Sequence, residues 1–298
     1  MKVFVYFSSL TLMLAGVVFL SPTTSCSENP EWMLFTSENS GLPSPGVFSL
    51  AISPQGHVWM MCVEPQYLVG YGLAKFDGKT WTVYNTDNSG LPNDTAFPFA
   101  FDDQGNVWIG TANFFNKDGG SGLVKFDGTN WTVYTTDNSD LPSNNIRSGT
   151  IDSRGNIWVG TTAGVARFDG KTWTVYDEDA IGLSTSTFSA IAEDPEGNIW
   201  VGAYVYGTGR AAGVAKFDGQ TWTTYAPGIP DDAILHIIFD PQGNMWVSSW
   251  DDLAKFDGTS WTVYTPDNSE LGGGWSLAVD DRGMIWACLL YTCPSPRD

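Results

Sequence analysis

One ten-residue motif constrains what this chain can become. K/R-F-D-G-x-x-W-T-x-Y occurs as KFDGKTWTVY ending at Tyr84, KFDGTNWTVY at Tyr134, RFDGKTWTVY at Tyr176, KFDGQTWTTY at Tyr225 and KFDGTSWTVY at Tyr264. Its tail alone appears earlier, as Glu31-Trp32-Met33-Leu34-Phe35. A second motif, G-x-x-W, places Trp59, Trp108, Trp158, Trp200, Trp246 and Trp286 at intervals of about 45 residues, which suits a unit of four short strands. The two series use 12 of the 14 Trp and leave Trp250 and Trp275 outside the repeat.

The third unit shows the expected strands. Ile146 to Ile151 is the first, Asp152-Ser153-Arg154-Gly155 a turn, and Asn156 to Gly160 the second. Val165 to Phe168 is the third, and Asp169-Gly170 leads through a tight hairpin to the fourth, Trp173 to Tyr176. Asp-Gly between alternating apolar residues is a strong hairpin signal, because Gly accepts the positive φ of the turn. No stretch shows a sustained helical period with caps. A single unit exposes a sheet edge and both faces, so such units are stable only when stacked. The predicted fold is therefore all-β, a β-propeller of four-stranded blades. Five full units and one interrupted unit give six blades, the last completed by the N-terminal strand Glu31 to Phe35. Seven follow if the native sequence runs on past Ala287.

Composition narrows the function classes. The chain has 298 residues, with 33 Asp and Glu against 14 Lys and Arg and a net charge of −19, which excludes a basic nucleic-acid-binding face. Hydrophobic residues at 42% and charged residues at 16% distinguish it from a disordered acidic tail. Two His exclude a His-rich metal site, and four scattered Cys exclude a disulfide framework. The ends are set aside from the fold. Lys2, the apolar run from Val3 to Leu20 and the small residues before Cys26 form an export signal over residues 1–26. Thr23-Thr24-Ser25-Cys26 resembles a bacterial lipoprotein cleavage site, which would make Cys26 the lipidated residue, although Thr23 stands where that motif prefers Leu. Plain secretion and an uncleaved anchor are the alternatives. Residues 27–287 are assigned to the propeller. The last eleven residues, CLLYTCPSPRD, resemble a translated sequencing adapter and interrupt a repeat, so residues 288–298 are read as not native.

The second-strand motifs carry a family resemblance. DSRGNIWVGTTAGVARFDG (Asp152 to Gly170), DDQGNVWIGT (Asp102 to Thr111) and DPEGNIWVGA (Asp194 to Ala203) resemble the bacterial two-component regulator propeller repeat, over nearly all of residues 27–287. The resemblance implies an exported domain, periplasmic or at the cell surface, either within a membrane sensor kinase or free-standing as a lipoprotein. A membrane link would then come only through the lipid or a further C-terminal segment.

Alternating strands put the D-x-x-G-N and F-D-G turns on one face, where Asp and Gly act as turn formers and His57 replaces the usual Asn. The links from second to third strand fall on the other face and vary in length, as binding loops do. They carry Tyr67, Tyr71, Phe114, Phe115, Tyr204, Tyr206 and Trp250. The fourth-to-first links, such as TDNSGLP, are read as turns rather than calcium loops. Along the inner strands, period-two logic packs Leu50, Phe99, Ile191, Ile237 and Leu277 inward. It turns Ser148, Thr150, Ala190, Ala192 and His236 into a small, nearly neutral channel. Those strands begin at the variable face with Phe48, Phe97, Arg147, Phe188 and Trp275. Arg147 among aromatics can anchor an acidic sugar or another carboxylate, or can pair with a local acidic side chain.

The candidate ligand-binding set is Arg147, Trp275, Trp250, Phe97, Tyr204, Tyr206, Phe114, Tyr71 and His236, with no catalytic residue, metal or cofactor. The expectation is a non-catalytic binder of an oligosaccharide or peptide. A cell-surface scaffold for a protein partner, and a cation-dependent lyase or lactonase, are the alternatives.

Overall fold

The computed structural model describes residues 2–6, 16–20, 32–64, 69–185, 187–225, 232–265, 267–269, 274–280 and 283–289, with only the backbone described for 2–6, 16–20, 32–34, 274–275 and 286–289. Three strands come first, β1 (Lys2–Tyr6), β2 (Gly16–Leu20) and β3 (Trp32–Phe35). Five four-stranded antiparallel sheets follow in chain order, each a blade. Blade one is β4 (Gly46–Ile52), β5 (Val58–Val63), β6 (Gly70–Phe76) and β7 (Trp81–Tyr84). Blade two is β8 (Ala96–Phe101), β9 (Val107–Thr111), β10 (Leu123–Phe126) and β11 (Trp131–Tyr134). Blade three is β12 (Ile146–Ile151), β13 (Ile157–Thr161), β14 (Val165–Phe168) and β15 (Trp173–Tyr176). Blade four is β16 (Thr187–Glu193), β17 (Ile199–Val205), β18 (Arg210–Phe217) and β19 (Trp222–Tyr225). Blade five is β20 (His236–Phe239), β21 (Met245–Ser248), β22 (Leu253–Phe256) and β23 (Trp261–Tyr264). Strands β24 (Gly274–Val279) and β25 (Ile285–Leu289) begin a sixth. Cys26 and Tyr67 lie outside the described residues, as do the side chains of Trp275 and Trp286.

Contacts divide the chain into two units, one from residues 1–111 with 124–132 and 291–298, the other from 112–123 with 133–290. In the first unit β4 lies against β8, and in the second β12, β16, β20 and β24 neighbour one another in turn.

Aromatic residues of the two motifs join consecutive blades. In the second unit, Trp158 and Tyr176 of blade three stack at 5.9 Å and 10°. Together they meet Phe217 of blade four at 5.8 and 5.2 Å. Trp200 and Tyr225 hold Phe256 of blade five in the same way, at 6.4 and 5.6 Å. In the first unit Trp59 and Tyr84 hold Phe126 at 6.0 and 5.4 Å. Each aromatic pair adds about 0.5–1.5 kcal/mol beyond the area it buries. Phe35 of β3 sits 5.2 Å from Phe76 and 5.3 Å from Trp81, the place that Tyr84 takes against Phe126 and Trp131. Its packing is thus that of a fourth strand. Its pairing differs from expectation, since Trp32–Phe35 bonds to Gly16–Leu20 and not to the last blade. An unpaired edge accepts any extended apolar segment within reach, and Gly-Val-Val-Phe-Leu is one. Cys288 and Leu289, set aside above, continue the pairing of β25 with Ser276 and Gly274, because they prolong its apolar run.

The basic residue of each K/R-F-D-G motif covers the indole of its own blade. Lys75, Lys216 and Lys255 lie 5.4, 5.4 and 5.5 Å from the ring centres of Trp59, Trp200 and Trp246, and the Arg167 guanidinium lies 5.9 Å from Trp158. At the ring edge, the turn Asp accepts the indole N–H, from Trp158 to Asp152 at 2.8 Å and from Trp200 to Asp194 at 2.8 Å. The same Asp152 carboxylate accepts the N–H groups of Arg154 and Asn156 and the Asn156 side-chain amide. These Asp residues form the turn, as expected, and also satisfy a buried Trp donor.

The inner strands overturn the expected division into packed and channel-lining residues. Ala190 is 1% exposed and packs with Ile234 and Ile237 of the next blade, while Ile191 packs with Trp158 of the blade before. Blades stack face to face, so period two distributes side chains between two neighbours and not between a core and a lumen. Ser148 donates to the Phe188 carbonyl, Ser189 to the Ile234 carbonyl, and His236 Nδ1 accepts the Leu277 N–H at 3.1 Å. A second cause is a β-bulge in four of the five blades and in the β24–β25 pair. It leaves Phe48, Phe99, Arg147, Ser189 and Trp275 out of register. Phe188, expected at the mouth, is fully buried because the bulge falls one residue later.

Two smaller points complete the fold. The link after β15 makes one helical turn, α1 (Glu178–Ile181), which the sequence reading omitted; Asp177 caps it by accepting the Ala180 N–H at 2.9 Å. In the links after β7, β11 and β23 the polar groups bond within the turn. Asn88 accepts the Asn85 N–H and donates to the Val83 carbonyl, and Asn138 and Asn268 repeat the pattern. Gly160 and Gly202 of the W-x-G motif let the following blade approach, since a Cβ there would overlap Ser148 and the Phe188 carbonyl, or Ile234.

Two outcomes follow for stability in chemical denaturation. Gly160→Ala should cost about 1–3 kcal/mol by overpacking a backbone contact that cannot swing away. Asp152→Ala should cost about 3 kcal/mol, because Trp158 and Asn156 lose their buried acceptor. Burial alone would raise the Asp152 carboxyl, but the bonds from Asn156, Trp158 and Arg154 outweigh it and hold it below the usual carboxylate range. Asp194 and Asp240 are lowered in the same way, and hydrogen bonds from Thr172 and Lys171 bring the hairpin carboxyl of Asp169 down to about 2. A folded pKa below the unfolded one gives stability that is present above the unfolded value and lost as pH falls through the folded one. An acid titration should therefore show stability holding down to about pH 4 and falling below it.

Candidate functional site

Two links of the second unit meet at Arg147. It is the bulge residue of β12, left without a partner between the Ile146–Thr161 and Ser148–Gly160 pairs, and a bulge re-aims the side chain it carries. Its guanidinium carbon lies 5.4 Å from the Phe114 ring centre and 5.9 Å from that of Tyr206, so the charge sits between aromatic rings from two different links. Nε and Nη2 are both buried and have no hydrogen-bond partner among the described residues. Burial pushes the guanidinium pKa down, while nearby Tyr204 and Tyr206 act in the opposite direction. Burial raises the Tyr204 phenol, and Arg147 partly offsets that. Among the described residues the ion pairs are Lys125–Asp102 at 3.8 Å and Lys216–Asp194 at 3.4 Å, so the local carboxylate partner considered for Arg147 does not form there.

The link carrying Phe114 is fixed by a residue that the sequence reading passed over. Asn145, fully buried two residues before Arg147, accepts the Asn113 N–H at 3.1 Å. Its amide donates to the carbonyls of Asn113, Asn116 and Lys117 at 3.1, 2.8 and 3.2 Å. Thr162 adds a bond to the Lys117 carbonyl at 2.9 Å. One side chain thus replaces the missing secondary structure of the link. Its only sequence signal is an Asn directly before an inner strand, which looks like any turn residue. The Tyr206 link is held otherwise, as the tip of the β17–β18 hairpin, whose ladder ends at the Val205–Arg210 pair, and by bonds within its own turn from Thr208 and Gly209 to the Val205 carbonyl, with Gly207 and Gly209 at φ of 86° and 69°.

The remaining candidates fall elsewhere. His236 is half-buried and already accepts the Leu277 N–H, and burial lowers its pKa to about 4, so it is neutral at physiological pH and bonded to the neighbouring strand. Phe97 is buried at 8% exposure beside Phe99. Tyr71 and Trp250 are exposed, the latter on the Ser249–Asp252 turn. The backbone of Trp275 is a bulge like that of Arg147. Cys62 is a core thiol whose pKa burial pushes up to about 12, which leaves it unreactive. Among the described residues, no three His, Cys, Asp or Glu gather to hold a metal, and no helix is long and apolar enough to cross a membrane.

No curated protein matches the sequence. Solved structures do match in fold. The extracellular domain of BT3049 from B. thetaiotaomicron, described as a hybrid two component system, is 19% identical with a TM-score of 0.66, covering 91% of this chain and 36% of that one. PorZ of Porphyromonas gingivalis, a surface component of the type-IX secretion system, is 17% identical with a TM-score of 0.62, covering 92% and 41%. An inactive variant of virginiamycin B lyase from Staphylococcus aureus, solved with quinupristin, is 13% identical with a TM-score of 0.61, covering 84% and 77%. This chain therefore spans well under half the length of the first two. At these identities the likeness is one of fold, a β-propeller. The family described as two component regulator propeller matches residues 90–113, 140–163, 182–204 and 228–251, so these four segments are two component regulator propeller repeats.

Proposed function

We propose that this chain is an exported, non-catalytic propeller domain that binds a ligand, an oligosaccharide, on the face formed by its second-to-third-strand links. It would act as a sensor-type or surface binding domain. The observation that carries this reading is Arg147, held between Phe114 and Tyr206 with two buried nitrogens, Nε and Nη2, that have no hydrogen-bond partner among the described residues. Aromatic faces stack on sugar rings, and a guanidinium supplies the directional contact that fixes orientation. The non-catalytic part rests on His236, which is committed to a backbone N–H and so is poorly placed to serve as a general base. Export is supported by the apolar N-terminal run and by the fold likeness to the extracellular domain of BT3049. A second reading, a scaffold for a protein partner, draws on Phe115, which is 71% exposed on the same link as Phe114.

Two measurements separate these readings. Calorimetric titration with a panel of oligosaccharides should find a binder, and Arg147→Ala with Phe114→Ala should weaken it by about tenfold or more without lowering the melting temperature. Peptides binding where every sugar fails would favour the scaffold. Asn145→Ala should speed amide hydrogen exchange across residues 113–119 while the blade strands keep their protection, because only the link loses its fixing bonds.

A further inference from the structure

We propose that Arg147 takes a carboxylate of the ligand side-on, on the guanidinium edge that carries Nε and Nη2, between a fixed aromatic jaw at Phe114 and a movable one at Tyr206. This deepens the binding reading above and rests on it.

The atoms left unpartnered define the geometry. Of the guanidinium nitrogens, Nε and Nη2 point their N–H bonds along one edge in parallel, the spacing that matches the two oxygens of a carboxylate. A buried charged donor without an acceptor is costly, so an oxyanion arriving there gains more than it would from an exposed Arg. Arg167 shows the contrast. Its Nε also lacks a partner, but its Nη2 reaches Asn156 and its face covers Trp158, so that guanidinium already has a structural task. Arg147 has aromatic neighbours and no protein acceptor among the described residues, although the chain as a whole carries a charge of −19. The acidic groups of the same blade are engaged elsewhere. Asp152 serves Asn156 and Trp158, and Asp169 serves its own hairpin through Lys171 and Thr172.

The two jaws differ in how they are held. Asn145 ties the Phe114 link to the scaffold through four hydrogen bonds. The Tyr206 link is the four-residue tip of the β17–β18 hairpin, turning on two glycines beyond the Val205–Arg210 pair, and its Gly207 and Thr208 are exposed. Entry to the covered edge is thus by displacement of Tyr206, with Phe114 as the stationary platform for an apolar or ring-shaped body next to the carboxylate.

The test uses the full chain with galacturonate oligosaccharide, its carboxyl-reduced neutral counterpart and acetate as probes. Binding is read by calorimetry and by the 15N–1H signal of the Arg147 Nε–H. The expected result is a downfield shift of that signal with galacturonate oligosaccharide and with acetate, and at least tenfold tighter binding of the acidic sugar than of the neutral one. Arg147→Lys, which keeps the charge and loses the fork, should abolish the preference while leaving the melting temperature unchanged. Equal binding of acidic and neutral sugars, with the Nε–H signal unmoved, would overturn the carboxylate anchor and leave sugar binding standing. A shift with acetate but no sugar binding would keep the anchor and overturn the sugar reading. No shift with any carboxylate would end the proposal.

Discussion

The grip of a paired Trp and Tyr on the Phe of the following blade is the contact on which the rest of this structure depends. In the second unit, Trp158 and Tyr176 hold Phe217, and Trp200 and Tyr225 hold Phe256. The indole of each pair is fixed from both sides, by a cation over its face and by a carboxylate accepting its N–H. That arrangement sets the spacing at which inner strands lie side by side and at which Gly160 and Gly202 must lack a Cβ. It also brings links of successive blades close enough for rings on two of them to flank one guanidinium. The binding face is a by-product of how blades are fastened.

Much of the fold was legible in the sequence because the fastening residues are the motif residues. Trp, Phe and Tyr recur at fixed offsets, and the turn Asp and Gly read as what they are. The sequence pattern gives the basic residue before F-D-G no role, and only the cross-strand pairing of Arg167 with Trp158 or Lys216 with Trp200 reveals its place over the ring. The inner strands misled for two physical reasons. Both faces of a blade are buried against neighbours, so alternation does not mark a channel, and a bulge adds a residue that no composition signal announces. That single residue moved Phe188 into the core and made Ser189 the outlier.

The candidate site was legible in part. Phe114, Tyr204 and Tyr206 were picked out by residue type and by their place on variable links, and Arg147 by its place where an inner strand begins at that face; the structure brings them together. His236 was singled out for its chemistry, but its imidazole serves the adjacent backbone. Asn145 escaped notice because its role is to satisfy carbonyls contributed from about thirty residues upstream, and single-sequence patterns carry no information about such partners.

The bulge has a wider consequence for how such a repeat diversifies. A residue inside a ladder is bound by its cross-strand partner, its face and the neighbouring blade, so its identity is coupled to folding. The bulged residue is exempt from the ladder, and here that position holds Phe48, Phe99, Arg147, Ser189 or Trp275 in otherwise similar units. Aromatic, cationic and hydroxyl side chains are all accepted by the same backbone. Each inner strand that carries the bulge therefore keeps one position where recognition can change while the architecture stays as it is, which lets copies of a single unit acquire separate specificities.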